Sequence, residues 1–167
     1  MKFQKKKITK DTIPEGFTLS LVLVDFIPVL FFIFTILLFS KKIYFDYLIV
    51  MGGFICFFSG FIKVLWKLIV VLNKKNVWWM FVQMRILMPI GFCILMLGFM
   101  VGWKYFSDII FDASFNSRIF FTLWIIGISL MSLFAIILDS SNPKANWIEQ
   151  ITNSISQFFL WLAVIFI

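Results

Sequence analysis

The 167-residue chain holds little polar chemistry, and most of it lies where polar groups are costly. Asp25, Lys63, Arg85, Glu149, Asn153 and Gln157 each stand inside or at the edge of a long apolar run. At bilayer depth an Asp, Lys or Arg costs about 2.5–3.5 kcal/mol on insertion scales, so such residues pair, line water or bind something polar. Asp25 is too short to reach headgroups as a lysine does. It needs a cation or a proton. Pro28, three residues on, has no N–H and leaves the Val24 carbonyl without a helical donor. Pro89 does the same for the carbonyl of Arg85. Near the C-terminus Asn146, Glu149, Gln150, Asn153, Ser156 and Gln157 recur every three or four residues, a single stripe on a helix. Asn146, after Pro143, also reads as an N-cap.

The chemistry these groups support is recognition. The chain has no His, neither Cys56 nor Cys93 has a base beside it, and no Gly-rich phosphate loop is present. Asp25 and Glu149 form an acid–base pair only if folding joins them, and two carboxylates are too few for a hard-cation site. We therefore expect no catalysis, no metal and no cofactor. Charges, amides and proline-freed carbonyls at one intramembrane depth replace water around a polar solute. The six residues named first are the predicted solute-binding set. Counting Lys67, three bases face two acids, which tilts the expectation toward an anionic solute. The competing reading is a non-catalytic assembly or regulatory subunit, in a larger membrane complex or a homo-oligomer.

The elements that must position these residues follow from composition. Hydrophobic residues make up 62% and charged residues 14%, with 24 Phe and 7 Trp, and the mean hydropathy is +1.04. Soluble domains run at roughly 45–50% and about 25%, and one of this size could not bury so much apolar surface. A membrane span needs roughly 17–25 apolar residues. Five stretches qualify: 17–39, 43–72, 77–103, 119–138 and 147–167, behind a basic tail at 1–16. They are apolar on all sides, which fits helices and not barrel strands. The expectation is an all-α membrane protein, a compact bundle of five transmembrane helices with the lipid bilayer as its solvent. The first run is too long for a cleaved signal. Both cysteines fall inside spans, so no disulfide framework arises.

Local patterns fill in the rest. Gly52, Cys56 and Gly60 make a small-residue face on the second span, and Gly98 and Gly102 a shorter one on the third. The fourth span carries no charge and reads as a packing helix. Between spans three and four, Lys104, Asp108 and Asp112 lie opposite Phe106, Ile109, Ile110 and Ala113, a short amphipathic helix on the leaflet surface.

Lys and Arg near span ends split eleven to four in favour of the N-terminal side, which places the N-terminus in the cytoplasm and the C-terminus outside. Asp25, Lys63, Arg85, Glu149 and Asn153 then fall ~6–14 Å below the inner surface at 1.5 Å per residue. Asp25 is expected to contact Lys63 or Arg85, in a cavity open to the cytoplasm, with kinks at Pro28 and Pro89 just beyond it. Lys67 is expected to snorkel to headgroups. The lysines of the tail suit anionic lipid; without interleaved aromatics they do not suit nucleic acid. Thirteen Lys to two Arg points to an AT-rich genome, hence to a bacterial cytoplasmic membrane.

Overall fold

A computed structural model describes residues 13, 16–42, 46–138 and 143–167. Apart from Ile13 and Gly16, the basic tail at 1–16 lies outside the described residues. All regular structure among the described residues is α-helical: α1 (Leu19–Lys42), α2 (Tyr47–Asn73), α3 (Trp78–Val82), α4 (Met84–Val101), α5 (Trp103–Asp112), α6 (Phe115–Ile137) and α7 (Pro143–Ile165).

The ends are set by local chemistry. The Thr18 hydroxyl accepts from the Leu21 N–H at 3.2 Å and opens α1. The Asp46 carboxylate accepts from the N–H groups of Leu48 and Ile49, capping α2. At its other end Lys74 takes a left-handed backbone with φ 51 and donates its N–H to the Val70 carbonyl, the usual way a helix is stopped. The Ser114 hydroxyl accepts from Ser117, which starts α6 at Phe115, ahead of the 119 expected from hydropathy. α3 and α4 form one rod that gives way at Gln83, whose side-chain amide donates to the Met80 carbonyl at 3.2 Å.

Among the described residues, four helices are long and apolar enough to cross a membrane: Leu19–Lys42, Tyr47–Asn73, Trp78–Val101 and Phe115–Phe134. They match the first four expected spans. α7 has the necessary length, but its polar stripe keeps it out of that group.

The helices do not form the compact bundle expected from sequence. They pack as an open row in the spatial order α4, α2, α1, α7, α6, and the two end helices share no substantial packing. Side-chain contacts fix the directions. Phe26 meets Phe61 and Ile36 lies against Gly53, so α1 and α2 are antiparallel. Gly52 faces Gly91 and Leu95, and Gly98 faces Ile49, which makes α2 and α4 antiparallel. Ser117 donates to the Ala163 carbonyl and Gly127 lies on Ser156, so α6 and α7 are antiparallel. α1 and α7 are parallel: Phe31 packs on Phe158 and Trp161, and Lys42 Nζ donates to the Ile165 carbonyl at 2.6 Å.

α5 forms as expected, but it is not simply laid on lipid. Phe106 turns inward, stacks on Phe39 at 5.2 Å and packs at a tilt against Phe99 at 4.8 Å, while Trp103, Tyr105 and Phe111 stay exposed. Arg118 ties the end of α5 to α6 by donating to the carbonyls of Phe111 and Ala113.

Candidate functional site

Each central helix is two-sided. On α1 the exposed residues Leu23, Ile27 and Phe34 lie, at 100° per residue, on the side opposite Asp25. On α2 Phe54 and Phe58 are exposed opposite Lys67, and on α7 Ile148, Ile151 and Ile155 are exposed opposite Gln150 and Asn153. All three helices therefore turn an apolar back outward and their polar residues to one inner face of the row.

Level on that face is set by the helix ends. Asp25 lies six residues after Leu19, Lys67 six before Asn73, and Glu149 six after Pro143. Each is thus ~9 Å in from the same end of the molecule. Asp25 Oδ2 and Lys67 Nζ meet at 2.7 Å with both side chains almost fully buried, 5% and 3% exposed. It is an ion contact and not an aligned hydrogen bond. The Phe17 ring, 5.4 Å from the ammonium, roofs the pair toward the end of the row and itself packs edge-on against Trp66. Lys63 and Glu149 are close enough to act electrostatically on Lys67.

α7 joins this layer through the proline-freed carbonyl. The Ser154 hydroxyl lies 3.4 Å from the Val24 carbonyl and 2.7 Å from that of Gln150. One hydroxyl thus fills the gap that Pro28 opens beside Asp25. On the other flank the Gln83 amide donates to the Ser59 carbonyl at 3.1 Å, tying the α3–α4 joint to α2. Among the described residues, Ser59 Oγ and the Oε1 atoms of Gln150 and Gln157 are buried without a hydrogen-bond partner.

Of the six residues predicted from sequence, Asp25 is in the buried ion contact, Lys63 and Glu149 lie within electrostatic reach of it, and Asn153 and Gln157 continue the Glu149 face of α7, half-buried. Arg85 does not join them. It is exposed on α4 with its guanidinium over the Phe81 ring at 4.9 Å. The partner of Asp25 is Lys67, not Lys63 or Arg85, and Lys67 is buried where headgroup snorkelling was expected. Lys67, Ser154, Ser59 and Gln150 are the members that sequence reasoning left out of the set. The equal offset of Asp25 and Lys67 from the hairpin ends is the signal that would have paired them.

With Arg85 away, the layer holds two bases and two acids, and the tilt toward an anion disappears. Two shallow grooves lie elsewhere, one at Phe115, Arg118 and Thr122 and another along Lys74–Trp79. No protein-family model, curated protein or solved structure matches the chain.

Proposed function

We propose that the protein is a five-span membrane protein, N-terminus cytoplasmic, that serves as a non-catalytic subunit of a larger assembly in the cell membrane. The observation that carries this reading is the open row with a polar inner face. Asn153 and Gln157 are half-buried at intramembrane depth on α7, and acyl chains are a poor neighbour for such groups. A helix from a partner, offering polar side chains or small residues, would cover that face as helices cover one another in lipid. α7 counts as the fifth span because it runs parallel to α1 at the same level and turns Ile148, Ile151 and Ile155 outward.

The unpartnered oxygens of Gln150 and Gln157 favour a second reading, in which a small polar solute occupies the same face. Because the charges balance, that solute is neutral or zwitterionic.

A photo-crosslinking residue at Asn153, in native membranes, separates the two. The subunit reading expects one discrete protein adduct together with copurification of that protein. No adduct, together with access of a cytoplasmic thiol reagent to Asn153→Cys, would transfer the argument to the solute. Topology is tested by single-cysteine labelling in a background lacking Cys56 and Cys93. Labelling of intact cells at Lys104→Cys but not Lys75→Cys supports the orientation, and the reverse pattern overturns it.

A further inference from the structure

From Tyr47 to Ser107 the sequence contains no Asp or Glu, yet it carries Lys63, Lys67, Lys74, Lys75, Arg85 and Lys104. Lys63 and Lys67 belong to the interior layer. Lys74 and Lys75 are exposed on the turn between α2 and α3, and the left-handed backbone of Lys74 lets the chain reverse there within a few residues. They line a groove with Ile13, Asn76, Trp78 and Trp79. Asn76 is fixed by its carbonyl oxygen, which accepts from Trp66 Nε1 at 3.0 Å, so the groove floor is tied to the α2 core. Trp79 is 63% exposed, and tryptophans of this kind sit at headgroup level.

The groove continues into the membrane as a ladder. Trp78 packs on Phe81 at 5.4 Å, and the Arg85 guanidinium lies over the Phe81 ring at 4.9 Å. Arg85 is seven residues from Trp78, ~10 Å along the rod, and exposed. Its long side chain reaches back toward the interface along that aromatic face. The result is two ammonium groups at headgroup level, an arginine below them, apolar and aromatic walls, and no acid on α2, α3 or α4; the acids nearest the groove in sequence are Asp11 and Glu15, on either side of Ile13.

We infer that this groove is a binding site for the phosphate headgroup of an anionic glycerophospholipid in the leaflet on the side of the α2–α3 turn. The lysines meet the phosphate, Trp78 and Trp79 flank the glycerol region, and the acyl chains run along the exposed face of α4, where Ile86, Met88 and Ile90 look outward. The inference rests on the membrane reading of the helices, and not on whether the inner face of α7 takes a protein or a solute.

The test measures lipid selectivity of the full chain in bilayers, by spin-labelled phosphatidylglycerol against spin-labelled phosphatidylcholine. Wild type should prefer phosphatidylglycerol. Lys74→Asn with Lys75→Gln should lower that preference about fivefold per lysine lost, the equivalent of ~1 kcal/mol for each. Asn is chosen because it tolerates the left-handed backbone. A control pair at the opposite end, Lys41→Gln with Lys104→Gln, removes the same charge and should leave the preference intact. Arg85→Gln, remote from the turn, should lower it by a smaller factor. Equal association of the two lipids with wild type overturns the site, and so does an equal loss in both charge-removal pairs. If inorganic phosphate at millimolar concentration abolishes the preference, the groove holds free phosphate and the lipid assignment fails.

Discussion

α2 takes part in two seams built on different physics. Toward α4 the contact is made through glycines of both helices: a Cβ added at Gly52 of α2 would come 2.5 Å from the Leu95 nitrogen, and one at Gly98 of α4 2.6 Å from Ile49 Cγ1. The backbones nearly touch, and contact runs along most of the helix. Toward α1 its glycines, Gly53 and Gly60, meet the side chains of Ile36 and Val29 and not backbone. The polar contacts, reaching through α1 to α7, are gathered at one end, where Asp25, Lys67, Ser154 and Glu149 share a level. Lipid gives helices no hydrophobic reason to associate, so close packing and hydrogen bonding are what remain. The glycine seam gains a little from every turn and tolerates little added volume. The polar seam concentrates its energy in a few groups and is sensitive to losing any one of them.

Breaking the ion contact should have the largest effect. Asp25→Ala or Lys67→Ala leaves a buried charge without its counterpart and should cost about 3–5 kcal/mol, read from unfolding in mixed micelles. Asp25→Leu combined with Lys67→Met should recover most of that loss. Strictly additive effects of the two single changes would show that the side chains do not interact.

On the glycine seam, Gly52→Ala should cost about 1–3 kcal/mol through overpacking, because the obstruction is backbone of α4. Gly60→Ala, on the α1 side of α2, sharpens the contrast. Its nearest neighbour is Val29 Cγ2 at 3.2 Å, a side chain that can give, so its cost in the same assay should be the smaller. Ser154→Ala removes the donor to Val24 and should cost about 0.6 kcal/mol, the average for such bonds in membrane helices. Arg85→Gln should change stability by less than about 0.5 kcal/mol, as an exposed substitution does. A loss of several kcal/mol at Arg85 would return it to the interior layer.

Four of the helices were legible in the sequence because apolar length is a direct reading of bilayer thickness. The polar stripe of α7 was legible from its period. The pairing of Asp25 was not, for a reason of register. Boundaries at 17 and 72 put Asp25 eight residues and Lys67 five residues from their ends, whereas Leu19 and Asn73 put both at six. An error of one or two residues at each end was enough to exchange the right lysine for the wrong one. Arg85 failed differently. The face of α4 that meets α2 is marked by Gly91 and Gly98, seven residues apart, and Arg85 was placed by its depth without reference to that face. The open row was illegible too, since the parallel contact of α1 with α7 joins segments far apart in sequence.

That last contact has a consequence in time. Val24 and Ser154 are 130 residues apart, and synthesis proceeds at roughly 5–20 residues per second. The α1–α2 hairpin can therefore close, and Asp25 find Lys67, while the carbonyl exposed by Pro28 waits on the order of ten seconds for the hydroxyl that will cap it. Through that interval the flank of α1 around Val24 and Phe31 is an unclaimed surface in the nascent protein. The order of assembly is thus written into the row: the charge is neutralised first, and the proline gap is closed only when α7 arrives.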